Sequence, residues 1–399
     1  MTAWRFMSKP GQGSLLGGIV CLLLWAPVLI ERAAGSSAPR VEPGMEYVHE
    51  RIGDVPWSIH AVKIRRSDAK YRVVSRLANG SIPGLFPVSG QLDKLPESSG
   101  RPVAAVNGDF FHIRPGLYQG DPIGLHIAGA ELVSRPIGDS FWIDSRGEPR
   151  IGLVMPRFRA TVAGDVDFAF GLNEKREDGK AVLYTPAIGE STRTSGGLEF
   201  VLRPRSRGQW LPLRAGAHYD AVVAAISDKG NSPVEAEEMV LSVGPEMAKR
   251  LPVIQPGAGI TLSLNTSPDL DGVSTAIGGG PVLVRDGRAV GWKSRPVRHP
   301  RTAVGWNEKY LFLIVVDGRQ EGLSAGMNYP ELAGLAIRLG CTEAINLDGG
   351  GSSTLWLGGQ LVNTPSDGTE RWVANSLIVV AVDADNAQQQ EGGQNVTSK

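Results

Sequence analysis

Cysteine is nearly missing from this 399-residue sequence: the only two are Cys21 and Cys341, and Cys21 lies inside an N-terminal apolar run. If that run is removed, no internal disulfide can form. Stability must then come from core packing, and Cys341 is expected as a small buried hydrophobe. A surplus of charge is missing too, with 41 Lys and Arg against 41 Asp and Glu. Without a cationic excess to neutralise phosphate backbones, nucleic acid is not an expected partner. The six histidines, among them His112, His126 and His299, show no His-Glu-x-x-His or similar ligand spacing, which argues against zinc. A serine-hydrolase elbow is absent as well: Gly138-Asp139-Ser140 begins like Gly-x-Ser-x-Gly, but Trp142 stands where the second glycine belongs.

Glycine and proline are plentiful, at 51 and 27 residues. Both weaken helix interiors and suit the turns between short strands, so a β-rich architecture is favoured. At the N-terminus, Arg5 and Lys9 precede the apolar run 15–30 and the small residues 33–38. That order reads as a secretory signal over 1–36, delivering the body to the periplasm or outside the cell. With Pro27 inside it, the run is short for a relaxed membrane span, and membrane contact is expected only if it stays uncleaved. Val20 before Cys21 does not suit lipoprotein cleavage.

Along the body, β-branched and aromatic residues predict strands at 57–64 and 71–77, which look like a first hairpin turning at 67–70. A short helix is expected near 89–95, and an apolar strand at 102–106 runs into Asn107-Gly108-Asp109. Further hairpins are expected at 141–153 and at 281–290, the latter around the turn Asp286-Gly287. The clearest helix is 329–339, with Asn328 as cap, Glu331 completing a capping box and Gly340 as the left-handed stop. Flanked by apolar strands at 310–316 and 344–347, it should form a crossover on a mixed sheet. A last strand is read at 377–382. The region 165–265 contains no linker. The expected class is α+β, with β-rich mixed sheets and a few helices in one large domain over 37–385, followed by a disordered tail at 386–399.

Four polar clusters sit where apolar strands begin or end. In 346–353, Asp348 is followed by Gly349, Gly350 and Gly351 and then by Ser352 and Ser353. Three glycines let backbone N–H groups approach an anion, although a tight turn alone can look similar. Asp317-Gly318-Arg319 brings opposite charges to a strand exit, which an ordinary surface ion pair would also explain. Arg301-Thr302 precedes a small-residue strand, and an arginine there could hold a phosphate bidentately. Carboxylates with backbone oxygens could hold Ca²⁺ or Mg²⁺, and no cofactor is otherwise implied.

Taken together, 105–111, 122–125, 276–281, 301–305 and 346–354 resemble, in order and spacing, the phosphodiester glycosidase family. The resemblance covers roughly 45–385 and implies hydrolysis of a sugar 1-phosphodiester at its anomeric bond, with a phosphorylated carbohydrate as partner. Within it, Asp348 is the first candidate for the catalytic carboxylate and Asp317 the second. Arg301 and Arg319, with the backbone of Gly349 to Gly351, would bind the phosphate, and Ser352 and Ser353 would line it. Asn107 and Thr302 would orient sugar or water, and Asp109 would bind substrate or act as a support. Two other readings remain open: a non-catalytic carbohydrate-binding protein of the cell envelope, and a metal-dependent phosphodiesterase.

Overall fold

A computed structural model describes residues 38–162, 166–208, 210–291 and 297–382. The expected signal at 1–36 and tail at 386–399 lie outside the described residues. Within them are 25 strands and three α-helices, so the β-rich expectation holds. The strands form four sheets of seven, eight, five and five strands.

The seven-stranded sheet carries the site. Its inner strands are nearly continuous apolar runs because both faces are covered. From Tyr310–Val316, Leu313 and Val315 enter a core shared with Ala104 and Val106 of Arg101–Asn107 and with Leu377 and Val379 of Asn375–Ala381. Phe312, Ile314 and Val316 pack on the opposite face against Leu332, Ala333, Leu335 and Ala336 of the helix Tyr329–Leu339. That helix begins as its sequence dictates: Asn328 Oδ1 accepts from Glu331 N at 3.0 Å, and Asn328 N donates to Glu331 Oε2 at 3.0 Å. It stops at Gly340, where φ is 100°. Cys341 is buried beside it, and burial pushes the thiol up to about 12.

Two expectations need correcting. Strands 57–64 and 71–77 do not pair. Trp57–Arg65 lies between Met45–Ile52 and Tyr310–Val316, whereas Tyr71–Leu77 pairs with Asn375–Ala381 in another sheet. A run buried on both faces belongs inside a sheet, and the turn near 67–70 passes the chain to the next sheet. The crossover also differs in detail. Tyr310–Val316 and Glu343–Asn346 flank Arg301–Trp306, and both pair with it antiparallel, so the helix skips over one strand. The only parallel ladder among the named strands joins Gly171–Leu172 to Ala181–Tyr184, at the edge of the eight-stranded sheet.

That eight-stranded sheet is drawn from 155–267 and is joined to the rest through a five-stranded sheet buried on both faces. Trp142 and Ala276 enter the core of the eight-stranded sheet, while their neighbours Phe141 and Ile277 enter the core of the site-bearing sheets. Alternation along a strand makes this sheet a shared wall.

Candidate active site

Antiparallel register gathers the motifs at one end of the sheet. Arg301 lies opposite Val316, Ala303 opposite Asn346, and Asn107 opposite Ser376. Loops then close over these ends: Leu347 N donates to Thr302 O at 2.8 Å, Asp348 N to Gly108 O at 2.9 Å, and Gly350 N to Pro300 O at 2.9 Å. Asn107 locks the junction. Its Nδ2 donates to Asp348 O at 2.7 Å, and its Oδ1 accepts from Thr302 Oγ1 at 2.7 Å and Thr354 N at 3.1 Å. Asn107 and Thr302 are fully buried, so they hold the backbone of Asp348 and are not positioned to orient sugar or water.

Asp348 keeps partial access to solvent. Its Oδ1 accepts from Gly349 N at 2.8 Å. Burial raises its carboxyl above the usual range, opposed by the Ser352 hydroxyl, the Gly349 N–H and the Arg371 charge. Behind it, Asp109 is 3% exposed and accepts from Phe110 N and Gly124 N, each at 2.7 Å. Its carboxyl is pushed up to about 7, first by burial and further by the charge of Asp348, against those two N–H donors. Glycine makes this fit possible. A methyl group on Gly278 would lie 2.4 Å from Asp109 Oδ2, and one on Gly124 would lie 2.7 Å from it.

Opposite the carboxylates stand arginines. Arg301 is largely buried; its Nε donates to Met327 O at 2.8 Å, and its guanidinium lies 4.3 Å from the Tyr329 ring centroid. A methyl group on Gly349 would approach Arg301 Cδ to 3.8 Å, so Arg301 and Asp348 flank the same glycine. Arg319 is exposed and left-handed, with φ at 59°, and lies beside Gly350, where an added methyl would meet its Nη2 at 3.0 Å. Its Nε and Nη2 bond His299 Nδ1 at 3.2 and 3.0 Å. Because a guanidinium only donates, neutral His299 carries its proton on Nε2. Burial, then Arg319 and Arg301, lower the His299 pKa. A third arginine was not anticipated: Arg371 reaches Ser352 Oγ at 3.4 Å and pairs with Asp367 at 2.6 Å. It lies in no motif, and its neighbours in sequence give no signal.

The remaining candidates are placed differently. Asp317 is 1% exposed and accepts from Ser58 Oγ, His60 Nε2, Thr364 N and Asn363 Nδ2 at 2.8 to 3.2 Å. Burial alone would raise its carboxyl, but the His60, Ser58 and Thr364 donors outweigh it and hold it low. Saturated in this way, Asp317 is a support and has no free face for substrate. Ser352 and Ser353 are also buried; Ser352 bonds Asp348, and the Ser353 carbonyl accepts from Asn363. The accessible face is therefore Asp348, Gly349, His299, Arg319 and Arg371, with Arg301 buried behind Gly349.

This donor set does not fit Ca²⁺ or Mg²⁺. Asp348 and Asp109 already accept from N–H groups, and the positive charge of Arg371 acts on Asp348. Among the described residues no group of three or more His, Cys, Asp or Glu could hold a metal. Two clefts lie elsewhere. One of about 600 Å³ includes Arg72, Arg76 and Glu131, and one of about 450 Å³ lies within 111–119. Neither is lined by Asp348 or Arg301.

Comparison with known proteins points the same way. Residues 222–380 match the phosphodiester glycosidase family model, bearing out the resemblance over that span. The SPbeta prophage-derived uncharacterized protein YomE of Bacillus subtilis is 39% identical over 95 residues, 24% of this chain and 15% of that protein. The N-acetylglucosamine-1-phosphodiester alpha-N-acetylglucosaminidase of Bos taurus is 47% identical over 68 residues, 17% of this chain and 12% of the relative. The matched segments thus span a small part of these relatives. In fold, a hypothetical protein from Synechocystis superposes with a TM-score of 0.66 at 21% identity, covering 85% of this chain and 62% of the other.

Proposed function

We propose that this chain, whose residues 222–380 carry a phosphodiester glycosidase domain, is an exported hydrolase that cleaves the anomeric C–O bond of a sugar 1-phosphodiester. The observation that carries this reading is the placement of Asp348 and Arg301 on either side of Gly349, with Arg319 against Gly350. When the C–O bond breaks, its electron pair leaves with the phosphate oxygen. Arg319 and Arg371 stabilise that growing charge directly and buried Arg301 adds its positive field from behind Gly349, so little proton donation is needed. The Gly349 and Gly350 N–H groups are already engaged by Asp348 and Pro300 and do not serve as the phosphate donors expected of them. The anomeric carbon becomes electron-poor, and Asp348 stabilises it or takes the proton of an attacking water. Water oxygen ends on the sugar, and a phosphomonoester is released. Asp109 touches no substrate; its ionisation near neutral pH places a second negative charge behind Asp348.

The substrate class is a phosphorylated carbohydrate of the cell envelope or of exopolysaccharide. No helix among the described residues is long and apolar enough to cross a membrane. The mechanism contains no metal-dependent step. The test is to assay the purified domain on a panel of sugar 1-phosphodiesters while following both products. Asp348→Asn should lower kcat by about 10²–10⁴-fold. An unchanged kcat in this variant, alongside loss of activity in Arg301→Ala, would show the carboxylate to be wrongly assigned.

A further inference from the structure

Beneath the site, five side chains from two strands and one strand exit form a polar network that the proposed chemistry leaves unused. His60 is 2% exposed; its Nε2 lies 3.0 Å from Asp317 Oδ2 and 3.1 Å from Ser58 Oγ. Its Nδ1 is 2.8 Å from the Tyr47 hydroxyl, and His49 stacks on its ring with centroids 4.2 Å apart. Asp317 passes this order on. Its Oδ1 accepts from Thr364 N at 2.9 Å and Asn363 Nδ2 at 3.2 Å, while its backbone oxygen accepts from Ser324 Oγ at 2.5 Å. One buried carboxylate thus ties together two loops, 317–326 bearing Arg319 and 363–371 bearing Arg371. Gln320 Nε2, donating to Thr364 O at 2.8 Å, is a second tie.

We infer that His60 is a positioning residue that fixes Asp317 so that Arg319 and Arg371 converge on the phosphate site from two loops. The inference rests on the proposed role of those arginines. The physical reason is that a buried carboxylate deprived of a charge-assisted donor must recover hydrogen bonds by moving, and its movement would carry both loops with it. Arg319 sits close against Gly350, so a small shift of its loop separates guanidinium from ligand.

The test compares His60→Ala with His60→Gln, whose amide N–H can replace the Nε2 donor. Three readouts are used: inorganic phosphate binding by calorimetry, KM and kcat on any accepted sugar 1-phosphodiester, and hydrogen exchange of the two loops. His60→Ala should weaken phosphate binding and raise KM about tenfold, with kcat changed far less. Both loops should lose exchange protection while Arg301–Trp306 keeps it, and His60→Gln should restore most of each effect. Unchanged loop protection in His60→Ala would overturn the inference whatever the activity, as would equal damage by both variants spread through the sheet. If the wild type neither binds phosphate nor turns over substrate, yet His60→Ala loosens both loops, the positioning role stands and the proposed reaction falls.

Discussion

A methyl group added at Gly349, Gly350 or Gly351 would meet three different obstacles. At Gly349 it would lie 2.8 Å from the carbonyl oxygen of Pro300, backbone held by the Gly350 N–H. At Gly350 it would occupy a residue with φ of 65°, and at Gly351 it would strike the tips of Arg371 and Asp367 at 2.0 and 2.2 Å. Side-chain tips swing aside and backbone does not. Gly349→Ala should therefore cost about 1–3 kcal/mol in denaturant unfolding, whereas Gly351→Ala should change stability little and weaken phosphate binding by displacing Arg371. Asp109 supplies a pH signature. Its folded carboxyl is raised from 3.8 to about 7, so protonation favours the folded state. Its contribution is complete below pH ~4 and is lost as pH rises through about 7. Thermal unfolding at pH 5 and pH 8 should show a larger loss for the wild type than for Asp109→Asn; equal losses would refute the shift. At this scale the sequence pointed to Asp348, Arg301 and Arg319 because glycines and strand ends mark them. It could not separate Asp317, Asn107 and Thr302 from ligand-facing groups, since burial depends on partners such as His60 and Thr354 that lie far away in the chain.

Elements were legible where the deciding interactions are local. The helix Tyr329–Leu339 was readable because its cap, capping box and left-handed stop are all within its own sequence. Asn328→Ala should destabilise the protein by about 1 kcal/mol, measured as a lower denaturation midpoint. Because that helix start also holds Tyr329 against Arg301, the same variant should weaken phosphate binding. The hairpin at 281–290 was readable for a similar reason: Asp286 and Gly287 have φ of 49° and 71°, the positive values such a turn requires. Pairing of Trp57–Arg65 was not readable. Its partner Tyr310–Val316 lies some 250 residues on, and hydrophobic pattern reports burial without naming the neighbour.

On the scale of the whole molecule, the shared five-stranded wall decides how the protein unfolds. Because Phe141 and Trp142 enter different cores from one strand, neither core can open without exposing the other. Calorimetry should therefore show one cooperative transition for the described body, and two well-separated transitions would contradict this. The same wall sets Gly278 against Asp109, joining the fold of the middle region to the site. Hydrolysis in oxygen-18 water tests the chemistry built on this arrangement most directly. Attack at the anomeric carbon places the label in the sugar hydroxyl and leaves the phosphomonoester unlabelled; label in the phosphate would mean that the P–O bond breaks, contradicting the assignment of Asp348 and the arginines.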